Sequence, residues 1–132
     1  MKALLFSPQG RINRSRFWLA ALGTSLGLSV LLAAAMVILW QVMPGTIDEI
    51  GGFKVDGATA LPYFAVILAY FVAVVWSGLC LGIKRYHDLN KSGTWLFVML
   101  VPLVGSIIYF VQAGCTRGTT GDNQYGSDPL VA

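Results

Sequence analysis

The chain has 132 residues, of which 56% are hydrophobic and only 11% charged, with a mean hydropathy of +0.70 and a formal net charge of +3. That length holds one domain, and the apolar residues come in long uncharged blocks, not in the periodic pattern of a soluble core, so a water-soluble globular protein is excluded. Cys80 and Cys115 are too few for a disulfide framework and read as small buried apolar residues, while basic residues beside apolar runs point to anionic lipid, and away from nucleic acid, as the counter-charge.

Residues 1–16 carry Lys2, Arg11, Arg14 and Arg16 and no acid. A cleaved signal would place its apolar core directly after the first base. Here only Ala3 to Phe6 follow Lys2 before Pro8, Gly10 and the arginines intervene, so the segment is expected to stay in the protein. In GRINRSRFW, Gly10 to Trp18, the side chains of Arg11, Arg14 and, more loosely, Arg16 could share a helix face. A base near an anionic leaflet is worth about 1 kcal/mol, and a guanidinium grips phosphate in a forked geometry. These arginines are candidates for docking a headgroup or a partner; the plainer reading is that they only fix orientation in the membrane.

The first span is predicted over residues 17–43, roughly 40 Å of helix against a hydrocarbon core of roughly 30 Å, and Pro44-Gly45 ends it. The loop 44–61 sets Asp48, Glu49 and Asp56 against Lys54, and turn signals at Gly51-Gly52 and Asp56-Gly57 leave room for a small hairpin around Phe53-Lys54-Val55. The second span, residues 62–83, starts with Pro62 in its first turn, where proline costs no helix hydrogen bond. The loop 84–94 carries Lys84, Arg85 and Lys91 against Asp88, beside the lone His87, and these five residues join the arginines as candidates for binding a headgroup or a partner. The third span is predicted over residues 95–113 with Ser92 as its N-cap. A turn-rich, non-helical tail, 114–132, follows.

Seven of the nine Lys and Arg residues lie in segments 1–16 and 84–94, which places both on the cytoplasmic side and the 44–61 loop outside. Three crossings then put the tail outside. Phe17, Trp18, Trp40, Tyr63, Tyr86 and Trp95 fall near span ends, at the headgroup level that amphipathic rings prefer. The spans hold no Asp, Glu, Lys, Arg or His, which argues against an ion-coupled carrier. They do hold two GxxxG pairs, Gly23 with Gly27 and Gly78 with Gly82, and these predict a close seam between the first two spans.

His87 beside Asp88 suggests a general base with an orienting carboxylate. Residues adjacent on a helix diverge, however, and Asp88 reaches Lys84, Arg85 or Lys91 more readily. No nucleophile motif is present, one histidine makes no metal site, and the tail lacks the spacing of a calcium loop or a phosphate loop. No cofactor is implied.

Taken together, GRINRSRFW, KRYHDLNKSGTW, and VPLVG followed by GTTGDNQYGSDP resemble the YhaH-like family of small bacterial inner-membrane proteins, domain of unknown function 805. The family pattern falls on Gly10, Arg11 and Arg14; on Arg85, His87, Asp88, Ser92 and Gly93; and on Gly121, Asn123, Tyr125, Gly126, Asp128 and Pro129. The resemblance implies a bacterial inner membrane and no established activity. It also draws attention to Pro102, mid-way along the third span, where a kink or a re-entrant turn would bring the tail back to the cytoplasmic side.

The sequence therefore reads as one all-α integral membrane domain, 1–132, with three transmembrane helices, the third open to a break at Pro102. Its expected role is non-catalytic: binding a membrane partner or assembling with itself, with anionic lipid at a basic inner face. A permeation subunit that works as an oligomer is the alternative, and an enzyme acting on a lipid headgroup through His87 is the third reading.

Overall fold

The computed structural model describes residues 5–43, 46–47, 53–54 and 57–131, and its first helix, α1, runs Arg14–Val42. Asn13 sets that start: its Oδ1 accepts the Arg16 N–H at 2.9 Å, and its carbonyl accepts the Phe17 N–H at 2.9 Å. This is an N-cap, which satisfies donors the first turn cannot pair internally. Arg11 therefore lies before the helix and does not share a face with Arg14 and Arg16. The second long helix, α2, runs Ala60–Asp88 after a 3-10 turn at Gly57–Thr59. It takes in Lys84 to Asp88, which the sequence reading gave to a loop.

Each long helix has 29 residues, about 44 Å, which exceeds the roughly 30 Å hydrocarbon core. Large apolar side chains stand exposed along both, among them Leu26 at 68% and Leu68 at 63%. A helix apolar on its outward faces needs a nonpolar surrounding, and both helices are long and apolar enough to cross a bilayer. The α2 C-terminus is closed by Asn90 in the left-handed region, φ +57°. The Lys91 N–H reaches the Tyr86 carbonyl at 2.9 Å and the Asn90 N–H reaches His87 at 3.0 Å, the paired bonds of a Schellman ending.

The chain from residue 93 onward differs from the expected third span. Ser92 caps a 3-10 helix, Gly93–Leu100, accepting the Thr94 N–H at 3.3 Å. The chain then reverses, and a short helix α3, Val104–Tyr109, packs back on the 3-10 helix and continues as a π-helix, Phe110–Cys115. Pro102 is the cause. It has no N–H for a helix bond and drives Val101 to extended angles, φ −81° and ψ 113°. Gly105 makes the close return possible, because a Cβ there would collide with the Val98 carbonyl oxygen. At the open end Lys91 Nζ donates to Gln112 Oε1 at 3.0 Å. Eight residues of 3-10 helix span about 16 Å, roughly half of the hydrocarbon core, so this hairpin is too short to cross it.

Two compact units divide the chain, one of residues 1–24 and 75–132, the other of 25–74. In the second, Tyr63 donates to the Met43 carbonyl at 2.7 Å and the Ser29 and Tyr70 hydroxyls lie 3.4 Å apart. The hairpin allowed by the sequence is present as β1, Thr46–Ile47, antiparallel to β2, Phe53–Lys54, with Ile47 opposite Phe53. Its predicted turn at Gly51-Gly52, together with Asp56 and Pro44-Gly45, lies outside the described residues.

In the first unit, Ile12, Phe17, Leu81 and Ala113 form a buried core flanked by Leu5, Ala20, Ala21 and Tyr109. In this unit Phe17, Ala20 and Ala21 of α1 pack with Leu81 of α2. A Cβ built on Gly23, Gly27 or Gly78 would meet no described atom within 4 Å. Gly82 is crowded, but by Leu96 Cδ1 at 2.7 Å and the Tyr109 hydroxyl at 3.2 Å, which belong to the re-entrant hairpin. Of the cysteines, Cys80 is buried as expected; Cys115 is exposed, and both are free thiols.

Candidate functional site

The three motif segments converge on Asp88, at the last turn of α2. One carboxylate oxygen, Oδ1, accepts Arg11 Nε at 3.2 Å; the other, Oδ2, accepts Arg85 Nη1. Both guanidiniums are otherwise used up on backbone carbonyls. Arg85 Nε donates to Ala113 O at 2.7 Å and Nη2 donates to Thr116 O. Arg11 donates to Thr119 O at 2.6 Å, Gly121 O at 2.7 Å and Gly126 O at 3.2 Å. Side-chain exposure is 1% for Arg11, 0% for Arg85 and 3% for Asp88, so the charges are paired away from water. A buried charge is tolerated only when paired and hydrogen-bonded in this way.

The tail closes over the end of α2. The Thr119 N–H and hydroxyl both end on the Asp88 carbonyl, at 2.8 and 3.0 Å, and Asn123 Nδ2 donates to the His87 carbonyl at 2.9 Å. Carbonyls that a helix end leaves without an internal partner are thus capped by residues some thirty positions downstream (|i−j| = 31 and 36). Gly118 passes so close that any side chain there would strike the Asp88 carboxylate. The tail holds its own shape through short polar loops. Asn123 Oδ1 accepts the Tyr125 N–H at 2.9 Å, Asp122 Oδ1 accepts the Asp128 N–H at 3.0 Å, and an isolated bridge joins Asn123 to Gly126. Asp128 receives the N–H groups of Gly121 at 2.8 Å and Leu130 at 2.9 Å. These donors hold its carboxyl below the usual range, with the backbone N–H of Leu130 the largest influence and that of Gly121 next.

His87 is likewise occupied. Its ring stacks on Tyr125, centroids 4.0 Å apart and 3° from parallel, while Nδ1 lies 3.2 Å from the Gly10 carbonyl. It does not face the Asp88 carboxylate, which belongs to the two arginines. Trp18 Nε1 donates to Gly114 O at 3.1 Å and Arg14 Nη1 to Cys115 O at 2.9 Å, so the start of α1 is tied to the end of the re-entrant hairpin. The N-terminal segment and the tail therefore lie together.

Among the headgroup- or partner-binding candidates, the structure brings Arg11, Arg85, His87 and Asp88 into this clasp, where they bind one another and the tail. Lys84 is buried at 4% exposure, and Lys91 bonds Gln112 with its Nζ 4.3 Å from the Trp95 ring centroid. Arg14 and Arg16 stay exposed, as does Arg117 of the tail. Arg14 and Arg117 lie on a cleft of about 220 Å³ whose lining includes Asn13, Ser15, Thr119 and Thr120, with Asp88 and Asp128. Among the described residues, no group of three or more His, Cys, Asp or Glu side chains could hold a metal ion. Asn13 was readable as a helix cap and was missed; nothing in the sequence marked Thr119.

The family model for a protein of unknown function, DUF805, matches residues 5–127. The chain belongs to the DUF805 family. Among its relatives, the inner membrane protein YhaI of Escherichia coli strain K12 is 30% identical over 120 residues, 91% of this chain and 83% of that protein. The inner membrane protein YhaH of the same strain is 26% identical over 123 residues, 93% of this chain and 87% of that protein. The uncharacterized protein YiiR, also of strain K12, is 28% identical over 148 aligned residues, 94% and 86% of the two chains. No solved structure gives a significant match. Apolar helices and inner-membrane relatives place this DUF805 chain in the bacterial inner membrane, with an unknown activity. The DUF805 match takes in the GRINR, RYHD and GDNQYG segments, the three parts of the clasp.

Proposed function

We propose that the protein is a non-catalytic membrane protein that binds a membrane partner or assembles with itself, anchored by α1 and α2. The clasp would stand at the cytoplasmic face and present Arg14, Arg16 and Arg117 there. The single observation that carries this reading is how the motif side chains are spent. Asp88 is shared by Arg11 and Arg85, and His87 is stacked on Tyr125 beside the Gly10 carbonyl. A general base needs a substrate within hydrogen-bond reach, whereas these groups are engaged in holding three chain segments together. What the clasp leaves outward is a rigid basic surface.

Site-specific photocrosslinking in the native membrane tests this. A crosslinker at Arg16 or Arg117 is expected to give adducts of one discrete mass, corresponding to a second copy or to one partner, and a crosslinker at Leu26 is expected to give lipid adducts. Only lipid adducts from all three positions would count against the reading. So would a His87→Ala protein that keeps its fold and its yield yet loses a cellular function that the wild type supports.

A further inference from the structure

The cleft beside the clasp is a separate feature from the clasp itself, and its chemistry is distinct. Two arginines, Arg14 and Arg117, and two carboxylates, Asp88 and Asp128, line it. Asp88 is committed to Arg11 and Arg85, and Asp128 is committed to the backbone N–H groups of Gly121 and Leu130. Arg14 spends Nη1 on the Cys115 carbonyl, and Arg117 makes no hydrogen bond among the described residues. Both are exposed and both line the cleft. Asp88 is neutralised by Arg11 and Arg85. Asp128 stays an anion under the influence of the Leu130 and Gly121 N–H groups and of Arg11 and Arg117, and the cleft presents two exposed guanidiniums with the hydroxyl-bearing side chains of Ser15 and Thr120.

That combination is what an oxyanion needs: forked donors of fixed positive charge, with neutral hydroxyls for the remaining lone pairs. Size narrows the class. A volume of 220 Å³ is about seven water volumes at ~30 Å³ each, and lies below the roughly 300–1,000 Å³ of pockets for drug-sized ligands. It suits a phosphate group with a small alcohol on it, not a nucleotide or a peptide. Trp18, tied to Gly114 next to this wall, is a residue type favoured at the level of lipid headgroups.

We infer that this cleft, with Arg14 and Arg117 as its two anion-gripping residues, is a phosphate-binding site for a monoester or diester of glycerol-phosphate size. The inference rests on the reading above only in placing the clasp at the headgroup layer; it does not depend on a protein partner. Two sources present this chemistry, the phosphodiester of an anionic phospholipid and a free phosphate ester, and the test separates them.

Full-length protein in neutral detergent would be offered glycerol 3-phosphate by calorimetry. In parallel it would be placed in nanodiscs of phosphatidylcholine doped with phosphatidylglycerol, and retained lipid would be counted by native mass spectrometry. Retention of phosphatidylglycerol without binding of glycerol 3-phosphate identifies the lipid; binding of both identifies a site open to free esters. Replacing Arg117→Gln, at a side chain with no hydrogen bond among the described residues, is expected to weaken the bound species about tenfold. Arg14→Gln should do the same. Arg16→Gln, exposed but outside the cleft, should change it less than twofold. Equal losses from all three variants would mean a diffuse basic surface and overturn the site, as would binding of neither probe. The photocrosslinking result has no bearing on these outcomes, so either proposal can fall alone.

Discussion

Arg11 and Asp88 stand 77 positions apart in sequence, yet their side chains meet at 3.1 Å with exposures of 1% and 3%. One ion pair thus joins the N-terminal segment to the end of α2, and the same guanidinium reaches on to the tail. Asp88→Ala leaves the buried guanidiniums of Arg11 and Arg85 without a counter-charge, at a cost of about 3–5 kcal/mol, whereas Arg11→Ala leaves Asp88 its bond to Arg85 and costs less. Arg11→Ala and Asp88→Ala should each lower the melting temperature in detergent, Asp88→Ala the more sharply. The double variant should be less destabilised than the sum of the two, because Arg11 is then no longer stranded, although Arg85 is. Additive losses in that cycle would show that the pair is not coupled.

Much of this arrangement was legible in the sequence, and the part that was not has a physical explanation. Apolar blocks revealed both long helices because a bilayer imposes length and composition directly. The fate of Arg11 was hidden. A local pattern reports helix faces, whereas Arg11 is spent on carbonyls of Thr119, Gly121 and Gly126, groups that every residue carries and no composition marks. Uncharged length argued for one continuous helix over 95–113; the chain there breaks at Pro102 into a 3-10 helix and a short α-helix, because proline has no N–H for the helix ladder. The motif residues were read as a surface for ligands because charge in an apolar chain suggests exposure; burial by mutual pairing left the outward role to Arg14, Arg16 and Arg117.

Asp128 gives the clasp an acid limit. Its carboxylate accepts the Gly121 and Leu130 N–H groups, and these donors depress its folded-state pKa. A carboxyl depressed on folding adds stability that is fully present above its unfolded pKa, near 3.9, and is lost as pH falls through the lower, folded value. Amide resonances of Gly121 and Leu130 in micelles should therefore titrate together with a midpoint below about 3.9. Asp128→Asn should abolish that titration. A midpoint at or above the ordinary carboxylate value would contradict the bonding described.

The four glycines of the two GxxxG pairs should not behave alike. Gly27→Leu and Gly78→Leu place a side chain where no described atom lies within 4 Å of its Cβ, so each should change stability by less than about 0.5 kcal/mol. Gly82→Leu must displace Leu96 and the Tyr109 hydroxyl, and overpacking of this kind costs about 1–3 kcal/mol. Thermal unfolding in one detergent, compared across the three variants, checks the ranking. A destabilised Gly78→Leu protein with an unaffected Gly82→Leu would restore the seam between the long helices.

A return of the chain at Pro102 predicts that the tail emerges on the side of the N-terminus, and Cys115 reports it. The thiol is exposed, whereas Cys80 is buried, so an impermeant maleimide added to the folded protein addresses Cys115. Arg14 donates to the Cys115 carbonyl at 2.9 Å, which holds the start of α1 and the end of the hairpin together. In sealed, oriented vesicles Cys115 should react from the same side as a thiol introduced by Ser15→Cys, scored in a Cys115→Ser background. Reaction from opposite sides would mean that 93–115 crosses the bilayer. Gly105→Val supplies the complementary measurement, since its side chain must collide with the Val98 carbonyl and force the hairpin apart. Labelling of Cys115 in that variant should become mixed-sided or the protein should fail to accumulate; unchanged, one-sided labelling with full yield would show that the tight return at Gly105 is not what holds the tail beside the N-terminus.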